Sequence, residues 1–106
     1  MPMEHQTAPV YRAHIRISGR VQGVFFRVTL QRYAQAHNVS GWTQNRLDGT
    51  LEAVFQGRKQ DVDTLIQFCH QGPEMAHVDQ VMVVWETPDN TLSEFTIRSG
   101  KTESKY

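Results

Sequence analysis

Apolar residues alternate with polar ones from residue 11 to residue 18, which predicts a half-buried strand, β1. From Phe26 to His37 the apolar positions recur every three or four residues, as in an amphipathic helix, α1. The same spacing over 59–71 predicts a second helix, α2, which ends at Gly72 and Pro73. The chain therefore carries one strand and two helices that each need a packing partner.

The remaining apolar segments predict strands β2 (40–45), β3 (49–56) and β4 (78–86), with a short last strand over 94–98. Asp48-Gly49 marks the turn of the β2–β3 hairpin. The order β-α-β-β-α-β predicts an α+β ferredoxin-like sandwich: an antiparallel sheet with two helices on one face and a short extra C-terminal strand. Because crossovers are right-handed, β1 and β2 run parallel with β3 between them, and their C-terminal ends share one edge of the sheet.

Composition narrows the function classes. The 106 residues form one domain (10–99) between a flexible leader (1–9) and a polar tail (100–106). Eleven basic residues balance eleven acidic ones, so we expect no nucleic-acid partner, and no apolar run is long enough for a membrane span. The single cysteine, Cys69, closes no intrachain disulfide, which favours a cytoplasmic location. We expect the chain to be a monomer.

The segment that follows β1, GRVQGVFFR over 19–27, has the composition of an anion-binding loop. Its two glycines allow the backbone amides to curl inwards, the start of α1 adds partial positive charge, and Arg27 offers a planar fork that matches phosphate oxygens. The pattern is neither a Walker A loop nor GxGxxG, so nothing indicates ATP or a dinucleotide. The alternative is an ordinary strand-to-helix turn with a solvated Arg27.

Asn45 stands at the end of β2, on the same edge as Arg27. Its side-chain amide offers an acceptor and two donors, enough to hold a water molecule in a fixed direction. The alternative is that Asn45 serves only as a residue of the hairpin turn. The topology predicts that Arg27 and Asn45 share one ligand.

The loop GRVQGVFFR, followed by GWTQN, LDGTLE and GPEMAHVDQV, resembles the acylphosphatase family, small hydrolases of the carboxyl-phosphate bond. The resemblance covers residues 10–99. It implies that Arg27 binds the substrate phosphate and that Asn45 positions the attacking water. It also implies a cradle for the phosphate, formed by Gly19, Arg20, Val21, Gln22, Gly23, Val24, Phe25 and Phe26.

The residues agree with such a reaction. The leaving carboxylate has a conjugate acid with a pKa near 4, so its departure demands neither a strong acid nor a strong base. Positioning and charge stabilisation are sufficient, and we expect no cofactor and no metal. The five histidines show no metal-ligand spacing, and Cys69 lies on the apolar stripe of α2, where it is typical of a core residue.

Two other functions remain open, because a fold alone does not decide function. Ferredoxin-like sheets also bind RNA, but β3 lacks the aromatic-rich basic motif of such domains and contains Glu52. The chain could also be a regulatory or substrate-handling domain without turnover. The intact Arg27 and Asn45 argue against lost catalysis.

Overall fold

The computed structural model describes residues 9–102 and shows the element order that the sequence predicts. The predicted leader, apart from Pro9, and the last four residues of the predicted tail lie outside the described residues. The elements in chain order are β1 (Tyr11–Arg20), α1 (Phe26–Ala36), β2 (Ser40–Arg46), β3 (Leu51–Gly57), α2 (Lys59–Gln71), β4 (His77–Glu86) and β5 (Phe95–Thr102).

The strands form one sheet in the order β4-β1-β3-β2-β5. β3 is antiparallel to both β1 and β2, which confirms that β1 and β2 run parallel with their C-terminal ends at one edge. β5 runs parallel to β2, so the sheet is mixed rather than purely antiparallel, and β5 continues to Thr102, beyond the predicted domain end at residue 99. Pattern alone does not predict this pairing, because β5 reaches the far edge from β4 by a connection across the end of the sheet.

The side chain of Gln56 fixes that connection. Its Nε2 donates to the backbone carbonyl of Asp89 at 2.8 Å, and the amide of Asp89 donates to its Oε1 at 2.8 Å. The buried side chain of Gln56 thus has a partner for both its amide nitrogen and its amide oxygen. These two hydrogen bonds fix the connection before β5 and thereby help to set where β5 pairs with β2.

Alternate residues of β1 and the inward stripes of both helices form the core. Ala13, Ile15 and Ile17 are fully buried on the face of β1 that packs against the helices. Cys69 is fully buried in the same cluster, and desolvation raises the pKa of its thiol, as expected of a core residue rather than a nucleophile. Each fully buried aliphatic side chain contributes about 1.5–3 kcal/mol, so this layer holds the helices to the sheet.

β1 extends two residues further than its alternation predicts. Ser18 and Gly19 are the site of a register shift against β4, after which Gly19 pairs with Val78 and Arg20 with His77. A Cβ on Gly19, whose φ is +121°, would overlap the backbone carbonyl of His77. Gly19 therefore permits a close approach of two strands, and the loop proper is confined to residues 21–25.

The β2–β3 hairpin turns at Asp48-Gly49 as predicted. The Asp48 carboxylate accepts hydrogen bonds from the Thr50 amide at 3.0 Å and from the Thr50 hydroxyl at 2.6 Å, and these bonds hold the pKa of Asp48 below its ordinary value. Gly49 has a φ of +92°, which a side chain would strain. The turn fixes the end of β2, where Asn45 lies.

Candidate active site

The edge of the sheet where β1 and β2 end contains a cavity of about 270 Å³. The loop, the first turn of α1, β2 and β5 all contribute to its wall. The lining residues are Val21, Gly23, Phe25, Phe26, Arg27, Val28, Asn45 and Ile97. The structure thus brings Arg27, Asn45 and half of the predicted phosphate loop together.

Four predicted loop residues occupy other positions. Gly19 and Arg20 belong to β1, and Val24 is a buried core residue. Gln22 donates through Nε2 to the backbone carbonyls of Arg46, at 2.8 Å, and Thr50, at 2.9 Å. This side chain ties the loop to the hairpin that carries Asn45, a positioning role that sequence reasoning missed because a glutamine between glycines gives no signal for it.

The start of α1 favours an anion. Gly23 and Phe25 both have positive φ, of 73° and 66°, which turns the chain sharply into the helix. The first helical turn contains no acidic residue and includes Arg27. Because the first amides of any helix lack partners within it and carry about half a positive charge together, this cavity wall is electropositive.

Arg27 is positioned by β5. Its Nη1 donates to the backbone carbonyl of Arg98 at 3.2 Å. That contact depends on the parallel pairing of β5 with β2, where the register shifts between Gln44 and Asn45. The sequence offers no pattern that assigns Arg98 to the site.

Asn45 carries an unusual acceptor. The residue is only 7% exposed, and its Oδ1 is buried without a hydrogen-bond partner among the described residues. An unpaired buried polar atom costs about 1–3 kcal/mol, so it is normally paired with solvent or a ligand. Asn45 is also one of the residues that line the cavity.

The opposite face of the sheet has a different character. His14 contacts the carboxylates of both Glu52 and Glu86, and Arg12 Nε donates to Glu86 at 2.9 Å. Burial alone would raise the pKa of Glu86. The hydrogen bonds from Arg12 and His14 outweigh the effect of burial and hold this pKa below its ordinary value. The structure shows a half-buried charge network here, in which Arg12 pairs with Glu86 and Arg46 pairs with Glu52.

Two further findings concern residues 9–102 only. Among them, no three histidine, cysteine, aspartate or glutamate side chains lie close enough together to bind one metal ion. None of the helices in this part of the chain is both long and apolar enough to cross a membrane.

The fold and the site define a class of protein: a ferredoxin-like sandwich with a glycine-containing loop, an arginine and an asparagine at one sheet edge. The family model "Acylphosphatase" matches residues 13–97. An acylphosphatase of Thermococcus kodakarensis is 51% identical over 78 residues, 74% of this chain and 86% of the relative, and one of Haloarcula marismortui is 49% identical with the same coverage. The chain belongs to the acylphosphatase family.

Solved structures support the same family assignment. An acylphosphatase from Coxiella burnetii superposes with a TM-score of 0.80 at 30% identity, over 84% of this chain and 93% of that one. The protein is therefore an enzyme that hydrolyses small acyl phosphates to a carboxylate and inorganic phosphate.

Proposed function

We propose that the 19–27 segment and Arg27 bind the phosphoryl group of the acyl phosphate, and that Asn45 directs the attacking water. The observation that carries the proposal is the cavity that Arg27 and Asn45 both line, together with the loop and the first turn of α1. The Oδ1 of Asn45 can accept a hydrogen bond from a water molecule but not from an ionised phosphoryl oxygen, and the amide Nδ2 supplies donors beside it.

The phosphoryl group would lie against the loop amides and the start of α1. Both present N–H donors, and Arg27 adds a charged fork that matches two phosphoryl oxygens. The bond from Arg27 to the carbonyl of Arg98 holds the guanidinium before substrate arrives. Donors that are fixed in advance need no reorganisation as charge develops in the transition state.

The water would be held by Asn45 on the side of phosphorus away from the acyl group. The water oxygen attacks phosphorus. The bond from phosphorus to the acyl oxygen breaks, and its electron pair leaves with the carboxylate. The proton of the water passes to a phosphoryl oxygen. Because the leaving carboxylate is a weak base with a conjugate-acid pKa near 4, no side chain has to protonate it.

We also propose that the enzyme acts as a monomer. The formal net charge of zero supports the proposal that no nucleic acid binds. A cytoplasmic location is proposed on the single cysteine of the chain, which is buried.

The test is hydrolysis of acetyl phosphate, with a phosphate monoester and ATP as controls. We expect turnover of acetyl phosphate alone, undiminished by EDTA and inhibited competitively by inorganic phosphate and sulfate. Loss of activity in EDTA with recovery in Mg²⁺ or Zn²⁺ would contradict the mechanism. Binding of acetyl phosphate without turnover would instead favour a regulatory module.

A further inference from the structure

Phe25 stands at the mouth of the cavity in a conformation that costs stability. Its backbone is left-handed, with φ 66° and ψ 19°, a region that glycine and asparagine enter far more readily. Its side chain is 74% exposed. A phenylalanine in such a place gains little from folding, since its ring is not buried and its backbone is strained.

The residue is nevertheless firmly held. Its carbonyl accepts hydrogen bonds from the amide of Thr29 at 3.1 Å and from the hydroxyl of Thr29 at 2.8 Å. Phe25 lines the same cavity as Arg27 and Asn45. An exposed ring on an ordered backbone is available to contact a bound molecule.

The neighbouring wall is also apolar. Val28 and Ile97 line the cavity beside Phe25, and Val28 is itself exposed. The polar donors of the site suit the phosphoryl group and offer nothing specific to the acyl group. An acyl phosphate bound by its phosphoryl group therefore has its acyl group left to meet apolar surface.

We propose that Phe25 is a specificity-determining residue that packs against the acyl group and favours acyl phosphates with aromatic acyl groups. The inference rests on the proposed binding of the phosphoryl group by the loop and Arg27. Aromatic rings gain about 0.5–1.5 kcal/mol from stacking beyond their area burial. That gain corresponds to roughly a two- to twelvefold difference in kcat/KM between an aromatic and a small acyl group.

The experiment compares benzoyl phosphate with acetyl phosphate in the wild type, Phe25→Asn and Phe25→Tyr. Asparagine tolerates the left-handed backbone, so it removes the ring while keeping the loop. We expect the ratio of kcat/KM for benzoyl over acetyl phosphate to fall by about two- to twelvefold in Phe25→Asn, mainly through KM, and to be retained in Phe25→Tyr. Each ratio is taken relative to the wild type, which cancels the different intrinsic reactivity of the two substrates.

Met75→Asn is the matched control, because Met75 is an exposed apolar residue that does not line this cavity. We expect its ratio to equal that of the wild type. An unchanged ratio in Phe25→Asn, or an equal loss on both substrates, would overturn the inference. A wild type that hydrolyses neither substrate would contradict the proposed function itself, so the two failures are distinguishable.

Discussion

The two helices of the sandwich begin in opposite ways. Five residues, 21–25, separate β1 from α1, and they include the left-handed Gly23 and Phe25. A single extended residue, Arg58, separates β3 from α2. The first turn of α2 contains Asp61, whereas the first turn of α1 contains no acidic residue.

In terms of the proposed function, the difference separates a helix start that serves stability from one that serves a ligand. In α2 the Asp61 carboxylate accepts a hydrogen bond from Arg58 Nε at 2.9 Å and offsets the positive end of the helix. In α1 that position is apolar, and Arg27 adds positive charge where the helix already carries it. Such an arrangement opposes folding on its own, and an anion bound in the cavity would compensate for it.

Replacing Asn45 by alanine should have the largest effect on catalysis. The water loses its acceptor, while the loop and Arg27 still hold the phosphoryl group. We expect kcat to fall by roughly a thousandfold with little change in the affinity for inorganic phosphate. Steady-state kinetics and phosphate-binding calorimetry measure the two effects separately, and weakened phosphate binding with an intact kcat would refute the water-positioning role.

Asn45→Asp is the companion variant. A carboxylate could act as a base, but it would sit beside the anionic phosphoryl group and repel it. We expect this variant to be as inactive as Asn45→Ala. Recovered activity that rises with pH would indicate base catalysis instead of water positioning.

Arg27→Lys tests the other member of the pair. Lysine keeps the charge but loses the planar fork, so both substrate affinity and turnover should fall, kcat/KM by on the order of a hundredfold. The matched control is Arg58→Lys at the start of α2, a site that binds no substrate, where we expect wild-type kinetics. Near-normal kinetics in Arg27→Lys would reduce Arg27 to a surface residue.

A third change makes α1 resemble α2. Val28 is the third residue of α1, as Asp61 is of α2, and it lines the cavity. Val28→Asp should occupy the positive helix end with a carboxylate and raise the inhibition constant of inorganic phosphate by about tenfold. Val28→Asn, of nearly equal size and without the charge, should raise it much less. Equal effects of the two variants would show that shape rather than charge governs anion binding.

The sequence was sufficient to predict the elements and to bring Arg27 and Asn45 to one edge, because periodicity and crossover handedness depend on local pattern and general geometry. The sequence was insufficient to predict hydrogen bonds from side chains to backbone carbonyls. The bond from Arg27 to the Arg98 carbonyl and the tie from Gln22 to the hairpin carbonyls use acceptors that every residue possesses. The length of β1 was misjudged for a related reason, since Gly19 looked like a loop residue and is a strand residue at a close contact.

The smallest expected effect lies at the start of α2 and concerns stability alone. Asp61→Asn removes the carboxylate that offsets the helix end and pairs with Arg58, so the free energy of unfolding should fall by about 1 kcal/mol in low salt. Screening should shrink this difference in high salt, because part of it is electrostatic. Urea denaturation at two ionic strengths measures both values.

Asp63→Asn is the control on the same helix: Asp63 pairs with Lys59 at 3.0 Å in solvent, and its loss should cost about 0.5 kcal/mol or less. Neither variant should alter kcat for acetyl phosphate. A catalytic defect in Asp61→Asn that its stability does not explain would mean that the two helix starts are coupled and do not divide stability and ligand binding between them.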